Sequence, residues 1–409
     1  MPAGRPGRGQ ADPHHRRAGG GLAAGGTVHR RRCRNDDRRS SRSGGLSGEG
    51  ALSLTPTAEL LAALVRIPSP SGEEGAVAQW LEQWARRAGL DVHRDDAAVR
   101  IEVVGVRPGP TLLLASHLDT VPAGDAWEID PFAAEVRDGA LWGRGAVDAK
   151  GPLSAMCAAA ARLGAEGGPR CGRLLVLATY GEETRHTSMP RALEALGALP
   201  DAAVVGEPTG LEPCIAQRGL LILEAIWSGR AVHAGWAAEL GRRPDSALDA
   251  AVRGLPRLAE TELAPIDPLL GATVATPTVM RAGEARNVTP ERATAVLDVR
   301  TTPAADYDVV RRRLSEVLGA EIRVISDRLR PARTPDDSRL LALFGALRPS
   351  ATPFASPTSS DWVFLREVDA IKLGPGDSRL SHTSREAMPL EEVERGTGLY
   401  LELARNFLA

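Results

Sequence analysis

The chain has 409 residues, 43% of them hydrophobic and 25% charged, and a formal net charge of -2 at pH 7. That length exceeds one compact domain, the composition is ordinary for a globular protein, and the charge argues against general nucleic-acid affinity. No run approaches the roughly 18 apolar residues of a membrane-spanning helix, and collagen-like and disulfide-scaffold classes are excluded too. Cys33, Cys157, Cys171 and Cys214 are scattered without a CxxC pair, which suits reduced thiols in a cytoplasmic protein. Lysine is nearly absent: Lys150 and Lys372 stand beside 48 arginines, a bias read as coding preference.

Residues 1–50 hold eleven Arg and four acids. The Arg/Gly-rich stretch 1–52 lacks the large apolar residues needed to offset the entropy of ordering, so it predicts a disordered tail. An Arg-rich tail also fits nucleic-acid binding or a transit peptide, but its glycines and missing apolar region count against both. Thr55-Pro56 signals a helix start, a capping hydroxyl followed by proline at the first helical position. Val77, Trp80, Leu81, Trp84 and Ala88 recur at helical spacing, and Gly89 ends that helix. Runs 111–116, 173–180 and 202–206 read as buried strands, with a helix over 151–163 between the first two. Alternation of that kind predicts an α/β domain with a central, largely parallel twisted sheet flanked by helices.

Near residue 216 the pattern changes. Runs 220–227, 273–280, 292–300 and 321–326 read as strands with one polar face, and helices fit 246–258 and 305–318, with Pro256 ending or kinking the first. Strand-helix-strand-strand-helix-strand is a self-contained α+β sandwich. After it, a helix over 337–347 and a strand over 370–373 return to the first sheet. The expected organisation is a tail (1–52), a catalytic domain in two parts (53–215 and 328–409) and an inserted domain (216–327).

Each of the three early strands ends in groups able to bind metal. The first runs into His117 and Asp119, the second into Glu182-Glu183, the third into Glu207. Sites in open α/β sheets gather beyond the carboxyl ends of strands, so distant residues can converge there. Asp148 sits in a Gly-rich turn before a helix, and His382 follows Gly374-Pro375-Gly376. Imidazoles with carboxylates and no thiolate cluster suit zinc or a similar first-row ion in a catalytic site. Several carboxylates in one cleft also need cations to offset their repulsion, which points to two ions.

The strings SHLDTVP (116–122), GRGAVDAKG (143–151), GEE (181–183), GEPT (206–209), GRAVHAG (229–235) and GPG followed by SHT (374–376, 381–383) occur in that order. Together they resemble the dinuclear zinc amidohydrolases and exopeptidases that include acetylornithine deacetylase, succinyl-diaminopimelate desuccinylase, aminoacylase and the glutamate carboxypeptidases. The resemblance covers residues 60–409. It implies two Zn²⁺, with Co²⁺ or Mn²⁺ as substitutes, and a bridging ligand at Asp148. His117 and Glu207 complete one site; Glu183 and His382 complete the other. It implies that Asp119 orients the His117 imidazole and that Glu182 is the general base, passing a proton from water to the leaving amine.

The resemblance further implies a homodimer formed through the inserted lid domain, with His233 crossing to stabilise the oxyanion of the partner's site. Asn287 and Arg300 resemble lid residues that hold a substrate α-carboxylate. Residues 358–361, Ser360 among them, and the loop at Gly374 line the pocket on the same reading. Residues 184–188 and 235–241 depart from the family pattern, in places where acyl selectivity could be set. Lys150 answers either to a specific need or to an ion pair with a neighbouring acid. His93 and His186 are read as structural, and Trp142 as packing beneath the site.

The function expected is removal of an acyl group from an N-acyl amino acid, first of all by an acetylornithine or acetylcitrulline deacetylase of arginine biosynthesis. TSSDW (358–362) and KLGPGDSRLSHT (372–383) look like those biosynthetic deacylases. The alternatives are succinyl-diaminopimelate desuccinylase, the carrier-protein–lysine hydrolase of lysine biosynthesis, and a carboxypeptidase or dipeptidase. A metal-binding module without catalysis would lose the base, and Glu182 is present.

Overall fold

The computed structural model describes residues 54–237, 239 and 245–409. The tail expected over 1–52 lies outside them, as do residues 238, 240 and 241 of the departure at 235–241. None of the described helices is long and apolar enough to cross a membrane.

The larger sheet is ordered Asp91–Arg94, Ala98–Val104, Cys171–Thr179, Arg107–His117, Ala202–Val205, Asp369–Lys372, Cys214–Gln217, Ala332–Arg333, with Phe354–Ser356 beside Cys214–Gln217. Its four middle strands, from Cys171–Thr179 to Asp369–Lys372, run parallel. Antiparallel strands flank them: Ala98–Val104 on one side and Cys214–Gln217 on the other. The sheet is therefore mixed, with the expected parallel block at its centre.

Both faces of that block are covered, which explains its unbroken apolar runs. Along Arg107–His117, Leu112 and Leu114 pack against the helices Gly75–Arg87, Lys150–Ala165 and Leu390–Phe407. Leu113 and Ala115 face the opposite way, into the cluster holding Met189 and Trp362. Thr55 caps the first helix, Pro56–Val65, by accepting from Ala58 N at 3.2 Å. Gly89 follows Gly75–Arg87 at φ 75°, a left-handed conformation that ends a helix at little steric cost.

The second sheet is antiparallel, ordered Val274–Ala282, Arg292–Thr301, Gly219–Ser228, Glu321–Leu329. Gly219–Ser228 alternates: Leu221, Leu223 and Ala225 are buried against Ala251 from helix Ala247–Gly254 and Leu314 from helix Tyr307–Leu318. The helix expected over 246–258 stops at Gly254 and continues as a short 3₁₀ turn around Pro256, because proline lacks the N–H that an α-helix needs there. The chain enters this sheet at Gly219 and leaves it after Leu329. At Gly219 a Cβ would meet the Leu329 carbonyl at 2.6 Å, so the two crossings lie side by side only with glycine.

A three-stranded sheet joins Ala387–Pro389 to Ala140–Trp142 and Glu135–Arg137. It sets Glu386 beside the Gly-rich turn that carries Asp148.

Candidate metal centre

The four parallel strands end on one edge of the sheet, at His117, Thr179, Val205 and Lys372. Glu182-Glu183, Glu207 and Gly374 follow within a few residues. This is where convergence was expected, just beyond the strands' carboxyl ends. A cavity of about 300 Å³ opens there; Asp148, Glu182, Glu183, Glu207 and His382 are among its walls.

His117 is buried, and its Nδ1 lies 2.9 Å from the Asp119 carbonyl oxygen. A carbonyl can only accept, so Nδ1 donates, which leaves Nε2 to face the site. Nε2 lies 3.2 Å from Asp148 Oδ1 and donates to it while the imidazole is protonated; deprotonated, the same nitrogen would offer its lone pair to a metal. The other Asp148 oxygen, Oδ2, lies 3.4 Å from His382 Nε2, and His382 Nε2 lies 3.0 Å from Glu183 Oε1. Asp148 thus sets one oxygen toward each imidazole. Ligand atoms of His117, Asp148 and Glu183 fall within 4.8 Å of one another, as do those of His117, Glu182 and Glu207.

Asp119 holds more than the imidazole. Its carboxylate is 3.4 Å from His117 Nδ1, farther than its carbonyl. The same carboxylate accepts from Glu182 N at 3.0 Å, Glu183 N at 3.1 Å and Ser71 Oγ at 2.7 Å. Burial works against its charge, but His117 and these donors hold its carboxyl down at about 2. One fixed anion therefore sets both His117 and the Glu182-Glu183 turn.

Charge in the site is unbalanced without cations. Burial raises the Glu207 carboxyl to about 8, and repulsion from Asp148 adds to the effect. Burial also pushes Glu182 well up; His117 pulls it back, while Glu207 and Asp361 push it further. Contacts with Asp148 and Glu183 lift His382 to about 10 against the pull of burial. For His117, burial opposes protonation and the bonds to Asp119 and Asp148 outweigh it. Buried carboxylates and imidazoles that must share protons to coexist are a donor set completed by divalent cations.

Glu386, which the sequence reading did not single out, and the pair His186–Asp361 support this arrangement. Glu386 is fully buried and accepts from Gly145 N (3.1 Å), Val147 N (3.0 Å) and Asp148 N (2.9 Å), and pairs with Arg144 at 2.5 Å. It fixes the turn that aims Asp148. Glu386→Ala should cost about 3–5 kcal/mol, because it strands a buried guanidinium and three N–H groups. Thermal unfolding would show a large drop in melting temperature; an unchanged melting temperature would mean that the turn holds itself. His186, read from sequence as structural, has Nδ1 3.0 Å from Asp361 Oδ1 and 3.7 Å from Glu182 Oε1, and Asp361 accepts from Thr179 Oγ1 at 3.1 Å. The pair backs Glu182 from behind.

The proposed substrate residues fall elsewhere. Ser360 is buried and donates to Gln217 Oε1 at 2.8 Å; Ser356, Thr358 and Ser359 line the cavity instead. Gly374 packs so closely on the Glu207 backbone that a Cβ would meet the Glu207 carbonyl at 2.5 Å, and its own carbonyl accepts from Thr209 N at 3.0 Å. His233 is exposed in the second sheet's loops, where Asn287 O accepts from Ala234 N at 2.8 Å. Arg300 lies along Asp298, with bonds of 2.8 and 3.1 Å. None of His233, Asn287 and Arg300 lines the cavity of this chain. Trp142 pairs with Ala387 and Glu135 in the small sheet beside the Asp148 turn.

A sheet with imidazoles and carboxylates gathered at its strand ends, joined to a separate antiparallel lid, defines a metal-dependent hydrolase. The profile of "Peptidase family M20/M25/M40" matches residues 113–406, and the chain belongs to that family. It is 31% identical over 355 residues to an Aeropyrum pernix protein provisionally named LysW-lysine/LysW-ornithine hydrolase, covering 84% of this chain and 93% of that one. With succinyl-diaminopimelate desuccinylase of Methylorubrum extorquens (strain PA1) it shares 29% identity over 380 residues, 83% of this chain and 96% of the relative. Its fold matches the crystal structure of the aminopeptidase PepT of Bacillus cereus at a TM-score of 0.72 and 19% identity, over 87% of this chain and 98% of that one. It also matches an M20 family metallo-carboxypeptidase of Sulfolobus solfataricus at a TM-score of 0.68 and 18% identity, over 87% and 99%. The protein is an enzyme, a hydrolase of amide bonds, with a catalytic domain and a lid.

Proposed function

We propose that the enzyme uses two metal ions to free an amino acid from an N-acyl amino acid. The observation that carries this reading is the Asp148 carboxylate set between two imidazoles, with a buried second carboxyl, Glu182, beside them. His117 and Glu207 would hold one ion and Glu183 and His382 the other, with Asp148 shared. Imidazole and carboxylate donors suit zinc, with cobalt or manganese as substitutes. When bound, the ions polarise the scissile carbonyl and lower the pKa of the attacking water.

The protein's own groups do the rest. Glu182 takes the proton of the attacking water and hands it to the leaving nitrogen; a carboxyl raised by burial is suited to both transfers. Asp119 keeps the Glu182 backbone and the His117 tautomer fixed while this happens. His233, supplied by the lid of a partner subunit, would donate to the oxyanion, and the lid residues Asn287 and Arg300 would hold the amino acid's carboxylate. One of the lid's two outer strands, Val274–Ala282, supports such a homodimer: it is an open edge with Val274, Val279 and Met280 exposed.

The names carried by the relatives support an N-acylated diamino acid as substrate. A LysW-lysine/ornithine hydrolase or a succinyl-diaminopimelate desuccinylase comes first in this reading, and acetylornithine or acetylcitrulline deacetylation second. The test is a panel of N-acyl diamino acids and dipeptides given to zinc-loaded protein, with and without a chelator. N-acyl diamino acids should show the highest kcat/KM, and chelation should abolish it. Preferred cleavage of dipeptides, or turnover indifferent to chelation, would overturn the proposal.

A further inference from the structure

The chain's two lysines have different surroundings. Lys150 Nζ donates to Leu64 O at 3.0 Å and Ile67 O at 2.9 Å, tying down the end of the first helix. Lys372 ends the parallel strand next to Ala202–Val205, the strand that leads to Glu207. It is only 4% exposed, and its Nζ donates to Ser356 Oγ at 3.0 Å. Ser356 Oγ in turn lies 2.9 Å from Thr358 Oγ1. Lys372, Ser356 and Thr358 all line the cavity that holds Asp148 and Glu182.

A buried ammonium is costly unless an anion meets it. Among the described residues Lys372 forms no ion pair, and no other lysine or arginine lines that cavity. Glu207 feels its charge but is assigned to metal. Four carboxylates line the cavity, and two divalent ions would match them, which leaves the Lys372 charge for something else. Hydroxyls at Ser356 and Thr358 are placed to share the oxygens of an incoming anion.

We propose that Lys372, with Ser356 and Thr358, is a subsite for a free carboxylate on the acyl half of the substrate. The reacting acyl group is then itself acidic, a succinyl or a glutamyl group, and not an acetyl. This rests on the amidohydrolase reading above, in which the lid takes the amino acid's own carboxylate, so that a second carboxylate is left for Lys372.

Two measurements test it. In the first, kcat/KM is compared for N-succinyl and N-acetyl derivatives of one diamino acid. Wild type should prefer succinyl by about 100-fold, and Lys372→Met should cut the succinyl value by about 10–100-fold while moving the acetyl value less than about threefold, as expected for a lost charge-assisted bond. Lys372→Arg should recover part of the loss. Equal losses on both substrates, or no preference in wild type, would overturn the proposal.

The second measurement is calorimetric binding of succinate and of propionate to zinc-loaded wild-type protein, which needs neither turnover nor a variant. Succinate should bind at least about tenfold tighter, and equal affinities would overturn the subsite. If no N-acyl amino acid were hydrolysed while succinate kept its advantage, the amidohydrolase reading would fall and the subsite would stand.

Discussion

Glu182→Gln should leave the protein folded and loaded with metal while turnover falls by about 10²–10⁴-fold, the usual contribution of a positioned general base. Geometry makes the expectation specific. Glu182 is buried at the cavity wall, and its backbone N–H is pinned by Asp119 at 3.0 Å. Its carboxyl is raised by burial and by the neighbouring acids Glu207 and Asp361. Glutamine keeps the shape and bonding of the side chain but takes no proton, so metal content and melting temperature should stay near wild type. Steady-state kinetics with metal analysis on one sample checks this. Unchanged turnover would remove Glu182 as the base, and loss of metal would make it a ligand.

Asp148→Ala should be more damaging still. One carboxylate oxygen faces His117 at 3.2 Å and the other faces His382 at 3.4 Å, so the substitution removes a donor from both halves of the centre at once. It also leaves two buried or half-buried imidazoles without the anion that holds their protons in the metal-free protein. Metal content should fall from about two ions per chain to less than one, with turnover at background, because shared ligands act as a unit. Glu183→Ala or Glu207→Ala should be milder, each removing a donor from one half. Two ions retained in Asp148→Ala would show that the carboxylate is not shared.

The elements that carry the site were legible because their physics is local. Runs such as Leu112, Leu113 and Leu114 are buried on both faces, so they stand out as apolar stretches, and the polar residue ending each one marks the sheet edge. The lid showed through its period of two in Gly219–Ser228 and its helix breaker at Pro256. Other features depend on contacts across long sequence separations. Glu386 looks like one acid in SREAM, and its role appears only when the small sheet sets it 242 residues from Arg144 in sequence and 2.5 Å away in space. His186 reads as a loop histidine until Asp361 and Glu182 meet it from other elements. Ser360 was expected at the pocket wall, but in an irregular segment nothing in the spacing indicates which of several adjacent hydroxyls turns inward.

Antiparallel margins were missed for a related reason. Ala98–Val104 pairs with Cys171–Thr179 through a register with no local sequence mark, and its partly exposed residues break the apolar run that identifies a central strand. The closing helix Leu390–Phe407 buries Val393, Tyr400, Leu403 and Phe407 at helical spacing, a pattern present in the sequence but C-terminal to the last chemistry-bearing motif.

In the proposed centre two cations share Asp148. Anomalous diffraction at the zinc edge from zinc-loaded crystals tests it most directly. Two peaks are expected on either side of that carboxylate, one among His117 and Glu207 and the other among Glu183 and His382. A single peak, or peaks that Asp148 does not touch, would contradict it.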